Sequence, residues 1–284
     1  IRRPPRSTLF PYTMLFRSAV ERTPCRIAYG DVAVECAIDV GEIRAGGRIE
    51  AVSELELELG EGSPTALFAL ARAFDAVAPL RLGILSKSDR GYRLLDGATK
   101  AEAVQLEPET GAGDAFHAIG GTCIRQFRIA EDHILRAGGA DPVHHARVAL
   151  RRLRSAFTLF RPLIATDRRA TPLGDELRWL AGALGRIRNI DVLIPRFDDE
   201  DVVKALVAGR ARIFDEVVTL LDSTRARMLM IDLTEWLALG AWRTDPSDPV
   251  LLRQPVIDYA ETLLGERFRK LGKRGRHLAR LDDA

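Results

Sequence analysis

The sequence is short of cysteine, of aromatic residues and of long apolar runs, and each shortage narrows the possibilities. Cys25, Cys36 and Cys123 are the only cysteines, an odd set without metal-ligand spacing. That argues against a thiolate metal site and suits a reduced, cytoplasmic protein. No apolar run reaches the roughly 20 residues that a membrane span needs, and no signal-peptide pattern is visible. No membrane partner is therefore expected. Aromatic residues make up 6% of the chain. From Asp114 onward, convincing strand patterns are missing as well.

What is present is ordinary globular composition, 46% apolar and 29% charged over 284 residues, enough for two domains. The net charge of +2 conceals an asymmetry. Residues 31–61 carry nine acids against Arg44 and Arg48, whereas residues 265–280 carry seven Lys or Arg against Glu266 alone.

The most informative stretch is Val143–Phe160, VHHARVALRRLRSAFTLF. At about 100° per residue, His144, Arg147, Arg151 and Arg154 fall within an arc of roughly 80°. Val143, Ala146, Leu150, Leu153, Phe157 and Phe160 fill the opposite arc, so the pattern is an amphipathic helix with one basic face. His145 and Arg152 lie off that stripe. Like charges one turn apart repel by a few tenths of a kcal/mol per pair. Either nearby acids or solvent neutralise the stripe, or it is an anion site, for which the planar donor fork of Arg is suited. His144 is either a hydrogen-bonded structural histidine or a titratable member of that site, in which case binding strengthens at low pH.

Residues 1–18, with Pro4, Pro5 and Pro11 and no periodicity, resemble translated sequencing-adaptor sequence and are set aside as an artefactual or disordered segment. Residues 25–59 read as β, with Gly41, Gly46 and Gly47 as turn residues. SELELELG alternates strictly, placing Glu54, Glu56 and Glu58 on one strand face and Leu55, Leu57 and Leu59 on the other. Those acids either stand in water or face a cavity where cations offset them. Ser63–Val77 reads as a helix with Ser63 as N-cap and Pro64 at the first position. Residues 97–113 read as a linker. Six helices follow, at 114–137, 142–160, 172–193, 201–230, 233–242 and 250–280, with short connections that argue a bundle. The expected fold class is α+β: a partial antiparallel β-barrel over 19–96, then an all-α bundle over 114–284.

Two resemblances attach to these segments. VHHARVALRRLRSAFTLF followed by LRWLAGALGRIRNIDVL (Leu177–Leu193) resembles the CHAD domain, from about Asp114 to the end. At Asn189 that family more often carries Asp. The resemblance implies two similar helical halves, each with a basic helix, and association with inorganic polyphosphate. VAVECAIDVGEIRAGGRIEAVSELELELGEG followed by SKSDRGYRL resembles the C-terminal part of a CYTH domain, a β-barrel tunnel that hydrolyses triphosphates with divalent metal. The acidic Glu-x-Glu-x-Lys strand of that family is absent here. The chain thus reads as an internal fragment, with part of a CYTH domain before a CHAD domain cut at its C-terminus.

The CYTH resemblance implies Glu56 and Glu58, with Glu54 and Asp39, as ligands for Mg²⁺ or Mn²⁺, and Glu35 shares the Asp39 face. It also implies Lys87 and Arg90 as holders of phosphate oxygens and a metal-assisted attack by water. With its acidic strand missing, no activity is expected. The CHAD resemblance implies a basic groove for polyphosphate from His144, Arg147, Arg151, Arg154 and Arg188, joined by Lys270, Lys273, Arg274 and His277, with Arg267 beside them. Asp191 is read as orienting an Arg rather than meeting an anion. The alternatives are an inorganic triphosphatase and nucleic-acid binding by the same helices. Against the latter, no aromatic residue interleaves the stripe for base stacking.

Overall fold

The computed structural model describes residues 16–96 and 103–278. The first elements are three antiparallel strands in the order β1-β2-β3, formed by Phe16–Tyr29, Val32–Ala45 and Arg48–Glu61. The β2–β3 turn is Gly46-Gly47, both at positive φ (54° and 75°), the conformation a two-residue hairpin turn requires. The sheet therefore starts earlier than expected, at Phe16 rather than Cys25. The first part of β1, Phe16–Pro24, has no apolar alternation and ends in Pro24, which lacks the N–H of a ladder donor, so it gave no strand signal. An edge strand tolerates proline, and β1 is at the edge.

Two helices follow, α1 (Thr65–Asp75) and α2 (Lys87–Asp96). The second was not anticipated. The chain divides into two compact units. One holds the sheet and α2, that is, the chain as far as Leu67 and again from Gly83. The other holds Phe68–Leu82 and the helices that come after α2.

That second unit contains α3 (Ala112–Ala137), α4 (Ala140–Leu159), the short α5 (Arg161–Ile164), α6 (Ala170–Leu193) and α7 (Glu200–Leu221). It continues with α8 (Thr224–Leu239), the short α9 (Ala241–Thr244) and α10 (Pro249–Arg253), and α11 (Val256–Leu278). Among its described residues there is no strand. Its core is the expected apolar face of α4 together with the inward faces of α3, α6 and α8. Phe116, Phe127, Leu150, Leu153, Leu177, Leu184 and Trp236 are fully buried.

The expected helix over 201–230 is two helices. Ser223 ends the first and caps the second, its hydroxyl accepting from the Ala226 N–H, an arrangement that supplies a partner to a helix-end donor. Asp248 likewise caps the start of α10, accepting from Val250 and Leu251 N–H groups, and the break at Gln254 and Pro255 divides 250–280 into α10 and α11.

Phe68–Leu82 is tied into this helical unit by charge. Asp75 and Arg227, both buried, form a bidentate pair at 2.6 and 3.0 Å. Arg81 meets the buried Glu131 at 3.0 Å, and Arg72 meets Glu235 at 2.6 Å. At the other end, Tyr259 of α11 donates to the Leu159 carbonyl at 2.9 Å and stacks on Phe160. Beyond Leu263, every described side chain of α11 is exposed.

Candidate functional site

The sheet gathers the predicted acids on one face. Strand register sets Arg22, Asp39 and Glu54 side by side in one row, and Arg26, Glu35 and Glu58 in another. The carboxylate oxygens of Asp39, Glu54 and Glu56 come within 4.8 Å of one another; Glu58 is not part of that group. Each of these acids is paired with a basic side chain. Arg22 reaches Asp39 at 2.7 Å and Glu56 at 2.5 Å. Lys87 reaches Asp39, Glu54 and Glu56 at 2.7–2.9 Å. The Arg22 bond, then Lys87, holds the Asp39 carboxyl well below the usual carboxylate range, and Lys87 first lowers the Glu56 pKa. Arg90 is buried between Glu50 and Glu54. Lys87 and Arg90 thus hold carboxylates rather than open space. Hard oxygen donors suit Mg²⁺ or Mn²⁺ in kind, and Asp39, Glu54 and Glu56 converge closely enough to be offered to such an ion, with their charge offset by Arg22 and Lys87 in this structure.

The basic stripe has the opposite surroundings. α4 and α6 run antiparallel, with Phe157 beside Gly174 and Arg147 beside Gly185. Between them lies an open groove of about 590 Å³. His144, Arg147, Arg151 and Arg154 enter it from α4, and Arg178, Arg186, Arg188 and Asn189 from α6. Small residues, Ala181, Gly182 and Gly185, complete the α6 wall. A Cβ at Gly185 would sit 2.6 Å from Arg147 Nη1, so that guanidinium occupies space only glycine leaves. Among the described residues, no carboxylate lies within ion-pair distance of His144, Arg147, Arg151, Arg154 or Arg188. Burial, then repulsion from Arg188 and Arg151, lowers the Arg147 pKa from its ordinary value.

Arg178 and Arg186 were missed in the sequence. They carry their own acids, Asp175 at 2.7 Å and Glu216 at 2.7 Å. Their signal was the helical spacing of 178, 182, 185 and 189 in LRWLAGALGRIRN, which puts small and cationic residues on one face.

The family model of the CHAD domain matches residues 118–284. The chain belongs to the CHAD domain family. A solved structure, the CHAD domain from the plant Ricinus communis, is similar at 25% identity with a TM-score of 0.52. The match covers 66% of this chain and 63% of that one, so the chain spans less than two thirds of the solved CHAD structure. The sheet lies outside the matched residues.

Not all expected members of the CHAD groove reach it. Lys270 and Lys273 are exposed on α11 and do not line the groove, and neither does Arg267. α11 is fastened at Tyr259, and its own apolar stripe, Leu264, Phe268 and Leu271, stands in solvent. The side chains of Arg274 and His277 lie outside the described residues. Asp191 pairs with Arg210 at 2.5 Å, so it orients an Arg, as expected, though one outside the groove lining. Arg152, off the stripe, lies 3.5 Å from Gln126 and away from the groove. Among the described residues no helix is long and apolar enough to cross a membrane.

Proposed function

We propose that the α4–α6 groove of this CHAD domain binds inorganic polyphosphate, or a phosphate polyanion of the same kind, without chemical conversion. One observation carries the reading: five cationic or titratable side chains share a groove and have no carboxylate partner among the described residues. A cluster of like charges is unfavourable by itself and is relieved by an anion with many negative groups. Arg offers two parallel donors to phosphate oxygens, and a chain of phosphates can engage several Arg at once. Each contact is partly exposed and individually modest, so affinity comes from their number.

The test is a titration with long-chain polyphosphate, with single-stranded DNA as competitor. Arg147→Ala and Arg151→Ala are each expected to weaken binding about five- to tenfold, in line with roughly 1–1.5 kcal/mol for a charge-assisted contact discounted for exposure. Circular dichroism should show unchanged helix content. If DNA competes equally per phosphate, the groove is a general polyanion site and the polyphosphate reading fails.

For the sheet we propose a CYTH-like remnant without triphosphatase activity. Its acids are engaged by Arg22, Lys87 and Arg90. Metal-dependent phosphate release from tripolyphosphate that vanishes in Glu56→Gln would restore the enzyme reading.

A further inference from the structure

Cys25 on β1 and Cys36 on β2 are direct cross-strand partners. Directly opposed residues in an antiparallel ladder have Cα atoms about 4.5–5.5 Å apart and side chains on the same face. Disulfides need roughly 4.4–6.8 Å between Cα atoms, so the backbone already meets that requirement. The two thiols differ in access: Cys25 is exposed and Cys36 is buried. Burial first, and then the Cys25 thiol beside it, pushes Cys36 up to about 11. Both cysteines line an open pocket of about 720 Å³, together with Arg22 and Arg26. Cys123 supplies the internal contrast. It is buried in α3, burial pushes it up to about 11, and no cysteine stands opposite it.

We propose that Cys25 and Cys36 are a modification site for hydroperoxides, closing reversibly into a cross-strand disulfide. The Cys25 thiolate attacks a peroxide oxygen. The O–O bond breaks, an S–O bond forms, and with hydrogen peroxide the departing hydroxide takes up the proton that the Cys25 thiol had released and leaves as one water. Cys36 then attacks the Cys25 sulfur. The S–S bond forms, the S–O bond breaks, and hydroxide departs with the Cys36 proton as a second water. The two thiols supply two electrons and one peroxide becomes two waters. A dithiol returns both thiols by exchange. The bond fastens the edge strand β1, which carries Arg22 of the carboxylate network, to β2. The odd cysteine count hid this pair, because pairing is set by strand register and not by spacing along the chain.

The experiment treats the whole chain with hydrogen peroxide and counts thiols after denaturation. The count should fall from three to one and return with dithiothreitol. Trypsin cleaves after Arg22, Arg26 and Arg44, so Thr23–Arg26 should be recovered linked to Ile27–Arg44. In Cys36→Ala, dimedone should trap a sulfenic acid on Cys25. The inference is overturned if Cys25 oxidises in the unaltered chain without the linked peptides, or if the bond joins two chains. It is overturned equally if Cys123 is lost as fast as the pair, or if Cys25 in Cys36→Ala yields no sulfenic acid.

Discussion

The sheet face and the α4–α6 groove both concentrate charge, and they handle it in opposite ways. On the sheet, each acid of the converging group has a cation supplied by another element: Arg22 from β1, Lys87 and Arg90 from α2. In the groove, Arg147, Arg151, Arg154 and Arg188 gather with no acid among the described residues that line it. A matched set of charges is a structural device, because the pairs lower each other's cost of burial. An unmatched set is unfavourable until a ligand arrives, which is why the groove, and not the acidic row, is the binding site proposed for this CHAD domain.

The largest expected effect concerns salt. Between about 50 and 200 mM salt, polyphosphate affinity should fall about a hundredfold. By analogy with single-stranded nucleic acids, roughly five phosphate contacts release about 0.7 counterion each. A flat salt response in an isothermal titration would dissolve the contrast, since it would mean the groove charges are offset already.

Next is a pair of substitutions that should separate the two regions. Lys87→Ala removes the shared partner of Asp39, Glu54 and Glu56. It should lower the denaturation midpoint, because Asp39 and Glu56 then share Arg22 alone and Glu54 keeps only Arg90, with polyphosphate binding unchanged. Arg147→Ala should do the reverse. Denaturation midpoints and binding curves on both variants check this, and the distinction is lost if the two behave alike.

Gly185→Ala sharpens the same comparison. Its Cβ would sit against Arg147 Nη1, the mobile end of a side chain, so the guanidinium must move. Binding should weaken severalfold while α6 gains up to about 1 kcal/mol from the better helix former. Stability and affinity moving together would contradict the placement of Arg147.

Acid should act on the sheet through its paired carboxylates. Asp39 and Glu56 have depressed pKa values in the folded chain. Their stabilisation is complete above the unfolded carboxylate value near 4 and is lost as pH falls below it toward the folded values. Strand signal should therefore decline below about pH 4, and adding Lys87→Ala should shrink that decline. The smallest effect is Arg152→Ala, which lies off the groove and should change polyphosphate affinity less than about twofold.

Much of this was legible in the sequence, and the reason is periodicity. The 3.6-residue period of VHHARVALRRLRSAF placed Val143, Ala146, Leu150 and Leu153 inside and the cations outside, and the structure buries those four. The period of two in SELELELG placed three glutamates on one face. Where no period existed, nothing could be read. The first part of β1, Phe16–Pro24, with its mixed polarity, escaped notice, and Arg22 with it. The break at Ser223 was hidden inside a continuous helical pattern, because a cap competes with helix propagation by only about 1 kcal/mol.

Sequence by itself therefore determined which residues share a face of one helix or one strand, since that follows from backbone geometry alone. It could not determine what stands opposite a face. Arg22 and Lys87 meeting Asp39, Gly185 making room for Arg147, Cys25 meeting Cys36, and α11 carrying Lys270 and Lys273 away from the groove all depend on residues distant in the chain. Those juxtapositions were decided by strand register and helix packing, and they turn one row of charges into a neutral network and the other into an open site.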